Sequence, residues 1–409
     1  MLRARTYLRA GSMSAAIDEL DHLPDSDQHR EQAEAAILRA AVFTRERRMD
    51  EAAAKLTDAR VYAFGSGDGA IEAELHYYEA LWHFANEDLD AMAASANEAL
   101  SVEDVLGRER YFVPIENSRA RGFQALVAVE ASSGRYANQA GLLRRAVAEL
   151  AEASTPDVWV EAALLHHSSV VTRDLDLVDD EPALREKAAT LPWSTATIRY
   201  QFLTRQALGW CRALRGDHIG AFRDFRGAVD VAPSRSLRVS ALLDQAYLAR
   251  ELANIDVSRE TLGFAVELSE QIRWEDTADD ERVALLDLAE GLAQTEAPRA
   301  RRIYESYRAL KGSMSVLAVA KLDKRVYAQE AYVRGIVARG EGNTAAAIEH
   351  VRNALSTWIA IGFDWRAGLA AADLVELGMT GPAAIARREA ERRPSSWLAR
   401  RVAKVLSPT

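Results

Sequence analysis

Eight times along the chain a short polar or glycine-containing turn leads into an alanine-rich amphipathic segment. The segments read AGSMSAAIDEL, ERRMDEAAAKL, NEDLDAMAASA, SGRYANQAGLL, RGDHIGAFRDF, NIDVSRETLGF, TEAPRARRIYE and GEGNTAAAIEH. Most of their starts lie roughly 37 to 47 residues apart, the spacing of a repeat array rather than of one closed domain. Apolar residues recur at three- and four-residue intervals, as in Leu203, Ala207, Leu208, Trp210, Cys211 and Leu214. Alternating runs of β-branched residues are almost lacking, so the sequence reads as all-α. A single amphipathic helix pair is too thin to bury its apolar stripe, so neighbouring pairs must stack and share a core. Further pairs are expected near residues 182–190 and 382–391, which makes about nine or ten antiparallel pairs in all.

The register is sharpest over residues 202–235, FLTRQALGWCRALRGDHIGAFRDFRGAVDVAPSR. Gly209 lets the two helices of a pair approach closely, Ala221 takes the facing contact and Phe225 fills the groove. Pro233 stops the second helix, because it lacks an N–H and clashes with the preceding turn. Leu208, Gly209, Ala221, Phe225, Ala228 and Pro233 together resemble the tetratricopeptide repeat. Arg205 and Arg212 depart from it, standing where that family favours aromatic side chains. Matching small positions recur as Ala40, Ala52 and Ala59, as Ala80 and Ala99, and as Gly335, Ala347 and Ala354. The resemblance implies a right-handed superhelical solenoid, with an N-terminal array over 1–171 and a C-terminal array over 196–377. Two stretches break the rhythm: 101–118, an insertion between pairs, and 172–195, acidic and then proline-punctuated, where the array is expected to kink or divide. Residues 378–409 are expected to form basic capping helices.

No catalytic constellation is found. The glycine cluster at residues 65–69 lacks the Lys-Ser/Thr of a phosphate-binding loop and has no strand before it, so it reads as a turn between repeats. His76 and His83 share a helical face but sit about two turns, roughly 10 Å, apart. His166 and His167 are adjacent and point in different directions. No metal site and no cofactor are expected. The acidic run Asp174, Asp176, Asp179, Asp180 and Glu181 lacks the glycine and terminal glutamate of a helix–loop–helix calcium loop. Cys211, the one cysteine, reads as a small buried hydrophobe. These absences point away from an enzyme.

In a solenoid of this kind the first helices of each pair line the concave face. The tetratricopeptide register places Tyr78, Leu81, Phe84, Gln206, Trp210, Gln329 and Tyr332 at open positions there, as candidate contacts to a bound protein or peptide; core packing is the competing role for each aromatic. Binding of a small molecule or short peptide in the groove is the alternative function.

The formal net charge of −10, from 51 basic and 61 acidic residues, disfavours non-specific binding to phosphate backbones. The last segment reverses that balance, with Arg387, Arg388, Arg392, Arg393, Arg400, Arg401 and Lys404 against Glu389 and Glu391. It ends in LSPT, Leu406–Thr409. That arrangement resembles the end of the helical-repeat region of bacterial LuxR-type transcriptional regulators, where such residues open the helix-turn-helix. No helix-turn-helix follows here, so this chain alone is not expected to read DNA. The implied role is regulatory or scaffolding, in bacterial signalling or transcription. No apolar stretch approaches a membrane span and the N-terminus lacks an apolar leader, so a cytoplasmic protein is expected. The near-immediate start of the first pair leaves a homodimer open.

Overall fold

A computed structural model describes residues 1–24, 26–102, 115–311 and 324–407. Among these, twenty-one α-helices occur and no strand. In chain order they form ten pairs and a final helix. The first five pairs are α1 and α2 (Leu2–Arg9, Met13–Asp21), α3 and α4 (His29–Arg45, Met49–Ser66), α5 and α6 (Gly69–Ala85, Leu89–Ser101), α7 and α8 (Ile115–Ser132, Tyr136–Ala151), and α9 and α10 (Val158–Asp174, Glu181–Thr190). The next five are α11 and α12 (Ile198–Arg215, His218–Val231), α13 and α14 (Arg235–Glu251, Ile255–Ser269), α15 and α16 (Ala284–Leu292, Ala297–Lys311), α17 and α18 (Lys324–Gly340, Thr344–Ile361), and α19 and α20 (Asp364–Glu376, Ala383–Arg392). Helix α21 (Trp397–Leu406) closes the series.

The all-α helical-repeat reading therefore holds. First helices also pack on the first helices of the next pair: α3 on α5, α5 on α7, α11 on α13, α13 on α15 and α15 on α17. That layering is what a solenoid requires.

The hairpins share one turn. In nine of the ten pairs a single left-handed residue ends the first helix: Gly11, Arg47, Glu87, Gly134, Asp176, Gly216, Ala253, Gly342 and Gly378. The next N–H commonly reaches back to the carbonyl five residues earlier. Examples are Arg48 to Phe43 at 2.9 Å, Asp217 to Arg212 at 3.0 Å and Asn343 to Ala338 at 2.9 Å. This is the helix-ending motif that satisfies the last free carbonyls. At three hairpins the residue after the turn caps the second helix: Asp88 accepts from Ala91 N–H, Asp217 from Gly220 N–H, and Asn343 from Ala346 N–H, whereas Asn254 before α14 makes no such bond. The glycine cluster at 65–69 is likewise a turn, with Gly67 left-handed and Asp68 capping α5 through Ala70 and Ile71 N–H.

The chain forms two compact units. The first comprises residues 1–133, 138–164 and 191–197; the second comprises 134–137, 165–190 and 198–409. In the first unit, Ala40, Ala52, Ala59, Ala80 and Ala99 are all buried, as the register requires. So is a network of charge. Glu74 accepts from Arg5 at 2.7 Å and from Arg121 at 3.1 Å, and Asp157 accepts from Arg121 at 3.1 Å and from Arg9 at 3.2 Å. Burial alone would raise the Glu74 carboxyl; Arg5 and Arg121 outweigh it and hold the group at about 2.

In the second unit, α11 and α12 pack as the signature residues specify. A Cβ at Gly209 would stand 2.6 Å from Phe225 Cε1. Ala221, Phe225 and Ala228 are fully buried, and α12 ends at Val231, two residues before Pro233. Arg212 takes an electrostatic role in place of the aromatic one: it pairs with Asp217 and Asp224, each at 3.4 Å, and with Glu181 at 3.8 Å. The pattern repeats in α17 and α18, where Gly335 abuts Val351 and Ala347 and Ala354 are buried.

The acidic stretch at 174–181 is held by arginines. Asp174 pairs with Arg173 at 2.6 Å and Arg325 at 3.2 Å, and Glu181 pairs with Arg215 at 2.9 Å. Most of the proposed insertion at 101–118 lies outside the described residues, as do Pro408 and Thr409 of the LSPT segment. Helix α21 is strongly amphipathic and buries Trp397, Leu398 and Val402. Its Arg401 grips Glu251 at 2.8 and 3.0 Å and also bonds Asp373.

Candidate functional site

The second unit encloses a cavity of about 230 Å³ between α9, α11, α13, α14, α15 and α19. Helices α9, α11, α13, α14 and α15 each contribute residues three or four apart, the spacing that puts side chains on one face, and α19 contributes the adjacent Trp365 and Arg366. Helix α11 supplies Gln206 and Trp210; α13 supplies Ser240, Asp244 and Tyr247; α15 supplies Asp287 and Glu290; α19 supplies Trp365 and Arg366. His166 and Arg173 come from α9.

Aromatic rings form much of the wall. Trp210 stacks on Trp365 with ring centroids 6.0 Å apart and meets Tyr247 edge-on at 5.6 Å. Trp397 of α21 packs behind all three, 5.6 to 6.4 Å away. Arg366 lies against the Trp365 ring at 4.4 Å, and Arg250 against Tyr247 at 4.7 Å. Arg250 is also paired with Glu251 at 3.3 Å.

Polar groups in the wall are tied together across helices. Asp244 accepts from Gln206 Nε2 at 2.7 Å and from Trp210 Nε1 at 2.9 Å. Gln206 also donates to Ser240 Oγ at 3.1 Å. Gln329 of α17 reaches Asp287 at 3.3 Å and Glu290 at 3.2 Å. Burial pushes Asp244 up to about 6, against the lowering effect of its two donors. Burial, with Glu290 and Asp244 nearby, pushes Asp287 up to about 7, and burial also raises Glu290. The same desolvation drives His166 well below its ordinary range, so its imidazole is neutral at pH 7.

Four polar atoms of the wall have no hydrogen-bond partner: Trp365 Nε1, Tyr247 Oη, His166 Nδ1 and Glu290 Oε1. Trp365 is 2% exposed, so water does not reach its N–H freely. Buried polar groups are normally paired, and each orphan costs free energy. Four such atoms converge on this cavity, and of these Glu290 Oε1 lies 3.9 Å from the Arg250 guanidinium.

The candidate contacts taken from the sequence fall in both units. In the first, Tyr78, Leu81 and Phe84 are partly buried and pack together against a core containing Tyr77, Ala80, Met92 and Val129. In the second, Gln206, Trp210, Gln329 and Tyr332 were expected at open positions and are buried instead. The reason is cross-helix bonding: Gln206 and Trp210 are spent on Asp244, Gln329 on Asp287 and Glu290, and the Tyr332 hydroxyl donates to Asp373 at 2.6 Å. Gln206 and Trp210 nevertheless line the cavity, Gln329 braces its acids, and Tyr332 lies outside its wall. The acids and Trp365 carried no signal in the sequence beyond their places on amphipathic helices, and His166 was weighed there only as a metal ligand. Burial also pushes the Cys211 thiol up to about 12, in keeping with a packing role. His76 bonds Glu79 at 2.9 Å.

No protein-family model matches the chain, and no curated protein matches it. Solved structures do. A Rap protein complexed with competence and sporulation factor superposes with a TM-score of 0.53 at 12% identity, covering 92% of this chain and 98% of that one. The apo form of RapI superposes with a TM-score of 0.54 at 10% identity, covering 87% and 93%. At such identities the likeness is one of fold: this chain shares a helical-repeat architecture with Rap proteins over nearly their whole length.

Proposed function

We propose that the chain is a ligand-responsive protein-interaction module of tetratricopeptide-like repeats, with a regulatory role in bacterial signalling or transcription. Its helix pairs offer surface to a protein partner, and the cavity of the second unit takes the ligand that sets the response. The observation that carries this reading is the convergence of Trp365 Nε1, Tyr247 Oη and His166 Nδ1, none with a hydrogen-bond partner, on one cavity. The structure of a Rap protein in complex with competence and sporulation factor supports a regulatory binding role for the fold. A binding role fits the wall better than a nucleophilic one. Ser240 is engaged by Gln206, and Ser258 donates to the Ala246 carbonyl at 2.8 Å. Direct DNA binding is not part of the proposal, since Arg392 and Arg401 of the basic end are held by Asp364, Glu389, Glu251 and Asp373.

The test is partner capture from a bacterial lysate by the whole chain and by Leu262→Trp, which fills the cavity from α14. Native protein is expected to recover a partner above background, and the plugged variant to recover a different amount. Recovery of no partner, or identical recovery by both proteins, contradicts the proposal.

A further inference from the structure

This inference takes the second unit's cavity as a ligand site and concerns what it selects. The wall carries three arginines, Arg173, Arg250 and Arg366, and three acids, Asp244, Asp287 and Glu290, but they are not all paired with one another. Arg250 pairs with Glu251 at 3.3 Å and faces Glu290 across 3.9 Å, and Arg173 is held by Asp174 at 2.6 Å. Asp244 is bonded only by the neutral donors Gln206 and Trp210, and Asp287 only by the amide of Gln329. Among the described residues neither aspartate has a cation within ion-pair distance. Arg366 and Arg173 act on both from farther away, and Arg366 lies on the Trp365 ring. His166, Tyr247, Arg250 and Glu290 complete the titratable groups facing them.

Two buried carboxylates bonded only to neutral donors keep lone pairs free for charge-assisted hydrogen bonds, which are the strong ones. Three aromatic rings in the same wall favour a cation over an anion. About 230 Å³ is less than the 300 Å³ or so at which drug-sized pockets begin, so the space suits one compact molecule rather than an extended chain. We propose that the cavity binds a small organic cation, a primary ammonium or guanidinium on a compact apolar or aromatic body. Asp244 and Asp287 are its anionic partners, Trp210, Tyr247 and Trp365 its walls, and Trp365 Nε1–H a donor to any acceptor it carries.

The elevated proton affinity of the two aspartates agrees with this, since a bound cation would take the place of their protons. Binding should therefore release protons at pH 6 and fewer at pH 8, read by calorimetry in buffers of different ionisation enthalpy.

The experiment titrates the full chain at pH 8 with tryptamine, agmatine and indole-3-propionate, the last matching tryptamine in size with opposite charge. One or both amines are expected to bind, and indole-3-propionate at least about tenfold more weakly. Asp244→Asn and Asp287→Asn should each weaken amine binding by at least about tenfold, with circular dichroism melts confirming that they fold. The two substitutions lie on different helices, so one misfolded variant does not decide the outcome. The proposal is overturned if neither amine binds, if indole-3-propionate binds as tightly, or if both folded variants bind as the native chain does. Indole-3-propionate binding that Leu262→Trp abolishes would keep the cavity as a ligand site while overturning its preference for cations.

Discussion

Replacing Gly209 by alanine puts a methyl group 2.6 Å from Phe225 Cε1 and 2.9 Å from its Cδ1. Phe225 has nowhere to go: it is fully buried, and the Trp210 ring stands 5.3 Å away. Alanine is the better helix former by about 1 kcal/mol, whereas forcing a methyl into a packed core costs about 1–3 kcal/mol. Gly263 of α14 is the matched control, because a Cβ there meets nothing within 4 Å. Both glycines lie in the second unit. Gly263→Ala should therefore stabilise that unit by about 1 kcal/mol, and Gly209→Ala should fall below it by the overpacking cost alone, about 1–3 kcal/mol. Urea unfolding followed by circular dichroism measures both. Trimming the ring with Phe225→Leu should recover part of the loss, giving a coupling energy of about 1 kcal/mol in a double-mutant cycle. Equal stabilities for the two alanine variants, with no coupling to Phe225, would refute the close helix approach that defines the repeat.

In the first unit, Glu74→Gln leaves Arg5 and Arg121 buried with too little negative charge and should cost about 3–5 kcal/mol, seen as a large drop in Tm. With its carboxyl held at about 2, Glu74 contributes stability that is present above pH 4.5 and lost as pH falls towards 2; the variant should lack that acid limb. Asp287 works in the opposite sense. Its carboxyl keeps its proton to about pH 7 when folded, so the folded state binds more protons than the unfolded chain above pH 4, and stability falls as pH rises through that window. Asp287→Asn should raise Tm at pH 8, by at least about 1 kcal/mol in stability, and change it little at pH 4. Ala253 holds a left-handed turn at φ 61°, so Ala253→Gly should stabilise by about 0.5–1 kcal/mol in urea melts.

The fold was legible because its constraints are local. Gly209, Ala221, Phe225 and Pro233 lie within 25 residues of one another and act within a single hairpin. The recurrent polar turns, too, except the one before α16, coincide with the left-handed residues that end the first helices. The site was only half legible. Gln206 and Trp210 were singled out by register, but register says which stripe of a helix a residue occupies, not how deeply the next helix covers it. Asp244 lies 34 residues beyond Trp210 and draws both side chains inward. Trp365 and His166 reach the cavity from helices about 200 residues apart in sequence. Nothing in the segment around Trp365 distinguishes it from ordinary core, and the histidine pair at 166–167 gave no hint of a cavity. Arg212 shows the converse: it broke the motif where an aromatic was expected and proved to be an ion-pairing residue for Asp217 and Asp224.

The account turns on the second unit's cavity receiving a guest, and the indole N–H of Trp365 reports on that directly. In protein carrying 15N-labelled tryptophan, titration with tryptamine or agmatine should move the Trp365 indole resonance and that of Trp210, and leave Trp82, in the first unit, in place. Leu262→Trp should abolish the movement. A Trp365 resonance that stays fixed through saturating concentrations of both amines, in a protein otherwise folded, would contradict it.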